Sequence, residues 1–181
     1  MKKHFYILFF FFVAKAFSQA PVDEQLAQQF FEMREYDKAI VYFEKLYDKN
    51  QGLYYSQYFK CLLATRDLKK AEKVAKRQLK NQPDVLALYV DLGQVYEADS
   101  NDTKAKEQYS KAIKELNGEI NQVMQLGKAF VSAKEYDFAI EAYRKGRKEN
   151  IRSYPFYYEM ADAYKAKGDI NAMINEYLDA I

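Results

Sequence analysis

Apolar residues recur three and four positions apart through most of the chain, a spacing that predicts amphipathic helices. Leu92 and Tyr96 lie four apart, and Ala105, Tyr109 and Ala112 follow with spacings of four and three. Such a series gives a helix one apolar stripe. A short polar break lies between the two helices of each of five pairs, and its Asp or Asn can accept from free helix amides. The breaks are Arg34-Glu35, Arg66-Asp67, Ser100-Asn101-Asp102, Lys134-Glu135 and Lys167-Gly168-Asp169. We therefore predict an all-α chain of paired helices.

The helix pairs are copies of one unit. The hexapeptide EYDKAI at 35–40 returns as EYDFAI at 135–140, 100 residues later. The same place in each second helix holds Ala39, Ala71, Ala105, Ala139 and Met173, at spacings of 32, 34, 34 and 34 residues. Because one pair cannot bury its own stripe, the pairs must stack into a solenoid with a continuous core.

A helical period of 34 residues resembles the tetratricopeptide repeat, or TPR. The third unit carries the resemblance best, with Leu92-Gly93, Tyr96, Ala105 and Tyr109 at the family's positions. The second unit departs from it, because Tyr58-Phe59 replaces Leu-Gly and Ala75 replaces the late aromatic residue. The resemblance implies a right-handed superhelix of about five units, the last incomplete, at 20–51, 52–85, 86–119, 120–153 and 154–181. Since arrays of this kind normally end in a cap, we expect the natural sequence to continue beyond Ile181; the alternative is that this end docks on another molecule.

The resemblance also implies a concave groove lined by the first helix of each pair. At the family's groove positions the chain has Gln28, Phe31, Lys60, Leu63, Gln94, Glu97, Met124, Lys128, Tyr158 and Asp162. Apolar anchors mixed with isolated charges of both signs suit an extended peptide or a helix laid along a groove. Certain members of the family hold a C-terminal carboxylate with a set of groove Lys, Asn and Arg residues, and this chain lacks that set. We predict a protein or peptide partner.

The chain has 17 tyrosines, and most of them occupy repeat-packing positions. We expect these to be core: Tyr36, Tyr55, Tyr89, Tyr96, Tyr109, Tyr136, Tyr143, Tyr157, Tyr164 and Tyr177. Tyr42, Tyr54 and Tyr158 have no packing role, which leaves a glycan-binding surface as a weaker alternative.

One second helix carries a basic stripe of Lys69, Lys73, Lys76 and Lys80, whose spacing puts all four on one face. The favoured interpretation is a solvated convex surface. The alternative is peripheral contact with anionic lipid headgroups or an acidic partner.

Residues 1–18 resemble a secretory signal peptide, with Lys2 and Lys3 before an apolar run over 5–14 and small residues after it. Ten apolar residues rise only about 15 Å as a helix, too short to span a bilayer. Cleavage is predicted after Ser18 or, as an alternative, after Ala16. Removing this segment takes three of the 28 Lys and Arg residues and none of the 26 acids, so the mature chain, 19–181, has a net charge of −1. We predict a periplasmic or otherwise extracytoplasmic protein that does not bind nucleic acid.

The sequence has few residues of the kinds that act in catalysis. The only histidine, His4, lies in the predicted signal peptide, and Cys61 is the only cysteine. The sequence has no glycine-rich phosphate loop, metal-ligand spacing or nucleophile elbow. We predict no catalysis, no cofactor and no metal, and favour a protein-interaction scaffold. The alternative is the extracytoplasmic sensory part of a longer signalling protein.

Overall fold

The computed structural model describes residues 22–150 and 152–181, which form ten α-helices in five pairs. In chain order they are α1 Val22–Glu32, α2 Tyr36–Lys49, α3 Gln51–Ala64, α4 Leu68–Asn81, α5 Ala87–Ala98, α6 Asp102–Glu115, α7 Ile120–Ala133, α8 Tyr136–Asn150, α9 Tyr157–Lys167 and α10 Ile170–Asp179. The all-α fold predicted from the sequence is confirmed. The predicted signal peptide lies outside the described residues.

The same left-handed turn joins the two helices of every pair. Its central residue has a positive φ between 58° and 65° at Arg34, Arg66, Ser100 and Lys134, and of 88° at Gly168. In each case the amide of the next residue donates back to a carbonyl at the end of the first helix, as Glu135 N does to Phe130 O at 2.9 Å. This bond is the signature of a Schellman C-cap, which satisfies a carbonyl that the helix end leaves free. The polar breaks in the sequence are these turns.

Side chains from the breaks also cap the helices that follow. Asp67 accepts from the amide of Lys70, Asn101 from that of Lys104, and Asp169 from that of Ala172. Between pairs, Asn50 ends α2 and caps α3, accepting from the amide of Leu53 at 3.1 Å. The expectation that Asp and Asn would start the second helices is confirmed at these three turns.

The two helices of a pair pack together through one large and one small residue, each at a fixed position in its helix. Gly93 lies against the ring of Tyr109, and Gly127 lies against that of Tyr143. In the second pair the sizes are exchanged, since Phe59 occupies the small position and Ala75 the large one, and both are buried. The departure of this unit from the TPR pattern is therefore a compensated exchange of volume between its two helices.

The buried residues form two apolar clusters that share α5. Leu88, Leu92 and Val95 belong to the cluster built with α1 to α4. Tyr89 and Val90 belong to the cluster built with α6 to α9. In the second half of the array α5 contacts α7 and α7 contacts α9, while α6 contacts α8. First and second helices thus form two layers there, as expected for a solenoid. No helix in the described part of the chain is long and apolar enough to cross a membrane.

Candidate binding groove

The ten predicted groove residues all lie on first helices and all stay outside the fully buried core. They fall into two groups by exposure. Five are exposed, namely Gln28, Lys60, Lys128, Tyr158 and Asp162. The other five are half-buried, namely Phe31, Leu63, Gln94, Glu97 and Met124. The first helices therefore present polar tips beside partly covered apolar side chains, an arrangement that can hold a peptide backbone and its side chains.

At the first end of the array Phe31 and Lys60 come together across two units. The Lys60 ammonium lies 5.3 Å from the centroid of the Phe31 ring. The same ring makes edge contacts with Tyr36 at 5.7 Å and Phe43 at 5.8 Å. Phe31 thus packs against two aromatic rings and also contacts the Lys60 ammonium, and these contacts fix the position of its ring.

In the middle of the array Glu97 lies near Glu135, a residue that the sequence analysis assigned only to a turn. Burial, together with the negative charge of Glu97, raises the pKa of Glu135 from its ordinary value, and Lys106 opposes that shift. Glu135 follows the left-handed residue Lys134 at the end of α7, and its interaction with Glu97 places it near the end of α5. Two carboxyls at one place form a negative spot between the exposed cations Lys60 and Lys128.

At the last end Tyr158 and Asp162 are joined through Tyr177 of α10. The rings of Tyr158 and Tyr177 have centroids 6.2 Å apart, and the Tyr177 hydroxyl donates to Asp162 at 3.4 Å. The prediction that Tyr177 is core is wrong, since 37% of it is exposed. The corresponding Tyr143 is 2% exposed because α9 covers it, whereas no described helix follows α10.

The three tyrosines set apart in the sequence differ in exposure. Tyr42 stacks on Phe30 with ring centroids 5.8 Å apart, and Tyr54 packs partly buried against the first cluster. Tyr158 alone of the three is exposed, at 62%. The expectation of free aromatic surface therefore fails for Tyr42 and Tyr54, because both fill space between helices.

The basic stripe lies on the outer side of α4. Lys69, Lys73, Lys76 and Lys80 are all exposed, and Lys76 pairs with Glu72 of the same helix at 2.6 Å. The hydrogen bond to Glu72 raises the pKa of Lys76. Neighbouring Lys70 pairs with Glu44 at 2.9 Å. Pairing with these acids partly neutralises the positive charge on this face of α4 and so weakens its electrostatic potential.

The described residues contain no group of three or more His, Cys, Asp or Glu side chains that could hold a metal ion. Cys61 is buried, and burial raises the pKa of its thiol to about 12.

Known proteins resemble this chain in fold more than in sequence. Residues 154–181 match the sequence model of the tetratricopeptide repeat. Among solved structures, TPR-like repeats of a kinesin light chain from Podospora anserina have a TM-score of 0.50 at 14% identity, covering 86% of this chain and 90% of that one.

Two further solved structures align over a similar length with lower scores. TTC0263, a TPR protein of Thermus thermophilus, has a TM-score of 0.48 at 17% identity, with 87% and 88% of the two chains covered. A MamA protein has a TM-score of 0.45 at 19% identity and 88% coverage of both chains. None of the curated proteins matches the sequence. The last helix pair therefore resembles a tetratricopeptide repeat in sequence, and the described chain has a fold similar to that of the TPR-like repeats of the kinesin light chain.

Proposed function

We propose that the protein is a non-catalytic, exported scaffold that binds a protein or peptide partner along its first helices. TPR folds are protein-interaction folds, and this chain presents a side chain outside the core at one fixed place in every pair. That series is Gln28, Lys60, Gln94, Lys128 and Asp162. Its regularity is the observation that carries the proposal, because five equivalent side chains outside the buried core form a continuous line along a solenoid.

The charges and aromatic rings along this line of side chains indicate which class of partner it would bind. Lys60 with Phe31 offers a cation over an aromatic ring, Glu97 with Glu135 offers negative charge, and Lys128 is again positive. Charges that alternate in sign favour a segment with the complementary order and disfavour a uniformly charged chain. We expect a partner segment with acidic, basic and acidic residues in sequence, spaced by apolar anchors. Delivery outside the cytoplasm follows from the predicted signal peptide.

Affinity capture with matched charge variants tests the proposal. The groove variant carries Lys60→Glu, Lys128→Glu and Asp162→Lys, three exposed sites on first helices. The control carries Lys69→Glu, Lys148→Glu and Glu141→Lys, three exposed sites on second helices that produce the same change in net charge. A protein from an envelope extract that wild type and control retain, and that the groove variant loses, supports the proposal. Equal retention by all three proteins would contradict it.

A further inference from the structure

A cavity of about 170 Å³ is lined by residues of α2, α3 and α4. Tyr47 of α2 and Tyr58 of α3 contribute its two aromatic side chains, each 2% exposed, with ring centroids 5.2 Å apart. A water molecule takes about 30 Å³ in the liquid, so this space admits a group of several heavy atoms. The cavity shares no lining residue with the binding groove of the first helices, so a ligand here would be separate from the partner proposed above.

The hydroxyl of Tyr47 is buried at this cavity without a hydrogen bond to any of the described residues. Burial raises the pKa of Tyr47, and the charge of Arg77, which lies close to it, opposes that shift. Tyr58 differs, because burial and the neighbouring Glu44 carboxylate together raise its pKa. A buried hydroxyl without a partner lowers stability, so a ligand that accepts a hydrogen bond from Tyr47 would remove this cost on binding.

The charged groups that line the cavity have a net positive charge. Lys70 and Glu44 form an ion pair at 2.9 Å and cancel each other. Lys73, Arg77 and Asp48 complete the charged lining, and none of the three forms an ion pair with another described residue. Two cations against one acid leave a charge of +1. Lys73 and Arg77 are four residues apart on α4, so both reach the cavity from the same face of that helix.

Three hydrogen-bond donors of different kinds therefore line the cavity. The guanidinium of Arg77 is a planar fork that matches two oxygens of an oxyanion, and the ammonium of Lys73 is a compact positive charge. The hydroxyl of Tyr47 can donate to a further oxygen. A carboxylate has only two oxygens for these three donors, whereas a phosphate group surrounds its phosphorus with four. The net charge of +1 is balanced by a phosphate group that carries a single negative charge.

We propose that this cavity binds a singly charged phosphate group, held by the Tyr47 hydroxyl, Lys73 and Arg77. Two sources offer this chemistry, namely free inorganic phosphate and the phosphodiester of a phospholipid headgroup. Lys69 and Lys80 lie on the same face of α4 as Lys73, are exposed and form no ion pair with a described residue. If the source is a headgroup, these two lysines would add attraction to the surrounding anionic lipid surface.

Calorimetric titration with sodium phosphate at constant ionic strength measures binding to the protein expressed from all 181 residues and purified as the cell processes it. Arg77→Gln should weaken binding about tenfold, because it removes a charged donor, and Tyr47→Phe about fivefold, because it removes only the hydroxyl. Lys80→Gln makes the same change in charge at an exposed site of α4 outside the cavity lining, and should keep the dissociation constant within about twofold of the wild type. Thermal unfolding without phosphate shows whether each variant folds, and Tyr47→Phe should be at least as stable as the wild type.

Co-sedimentation with phosphatidylglycerol vesicles distinguishes the two sources. If the headgroup is the ligand, the vesicles should retain the wild type and should retain less of the Arg77→Gln and Tyr47→Phe variants. If only the free anion enters the cavity, the titration gives the expected order of variants and the vesicles retain none of the proteins. Three results would each overturn the proposal: neither probe binds the wild type, Arg77→Gln and Lys80→Gln weaken binding equally, or Tyr47→Phe binds as tightly as the wild type.

Discussion

The ring of Tyr109 occupies the space that a side chain on Gly93 would need. A Cβ built on Gly93 would stand 1.9 Å from Tyr109 Cε1, far inside contact distance. Gly93→Ala should therefore lower the free energy of unfolding by about 2–3 kcal/mol, because a buried ring in a packed core has little room to move. Urea unfolding followed by circular dichroism measures it.

Gly52 supplies the control for this substitution. It lies in α3, where a Cβ added to it would have its nearest neighbour 3.9 Å away, so Gly52→Ala should raise stability by about 0.5 kcal/mol through helix propensity. Copying the second pair gives a further check. Gly93→Phe combined with Tyr109→Ala should be more stable than either single change, since it reproduces the exchange at Phe59 and Ala75. Additive losses would refute the volume-exchange explanation.

The left-handed turns predict opposite effects of glycine at two serines. Ser100 has a φ of 58°, where a Cβ costs energy, so Ser100→Gly should stabilise the fold by about 1 kcal/mol. Ser110 is exposed within α6, and Ser110→Gly should destabilise by about 0.5 kcal/mol. Thermal unfolding distinguishes the two signs. Destabilisation by both changes would show that the turn does not require a left-handed residue.

Asp91 should make stability depend on pH. Its carboxylate accepts from the Tyr55 hydroxyl at 2.7 Å, and burial raises its pKa from 3.8 to about 6. The folded state then holds the proton more tightly than the unfolded state. Stability is highest below about pH 4 for this group and falls by about 3 kcal/mol as pH rises through about 6.

Asp91→Asn keeps an acceptor for Tyr55 and removes the titration. The variant should be more stable than the wild type at about pH 8 and close to it at about pH 4, where the wild-type carboxyl is protonated in the folded state. Urea unfolding at both pH values measures the difference. Parallel stability curves for the two proteins across this range would rule out the buried carboxyl as the cause.

The ion pair of Arg147 and Glu176 should hold α10 in place. Its side chains are 19% and 11% exposed, so Arg147→Met leaves a buried carboxylate unpaired and should cost about 3 kcal/mol. Hydrogen exchange of the α10 amides should accelerate more than that of α6. The exposed pair of Lys38 and Glu35 provides the comparison, and Lys38→Met should change stability by less than about 0.5 kcal/mol. Equal effects of the two substitutions would show that burial of the pair is unimportant.

The fold was predictable because its period is carried by residues that every pair must repeat. The apolar stripe and the polar turn recur at fixed spacing in all five pairs, a capping Asp or Asn recurs in three of them, and each acts within one helix or one turn. The contact of Lys60 with Phe31 was not predictable, since it depends on how two successive first helices are aligned. The interaction of Glu135 with Glu97 was missed because it joins two successive pairs, whereas the turn pattern describes one pair. The exposure of Tyr177 was not predicted, because the repeat pattern implies a following helix that would cover this residue. No described helix follows α10.

The sharing of α5 between the two apolar clusters has a consequence for cooperativity. Energetic coupling in a repeat array passes mainly between adjacent units. In the described chain the two clusters meet at α5 and at Leu79 of α4, and packed apolar contacts there can carry the effect of a partner bound at Phe31 and Lys60 to Lys128. Tyr96 packs against both clusters, so Tyr96→Ala should leave each half folded while making their unfolding transitions separate, turning one two-state melt into two.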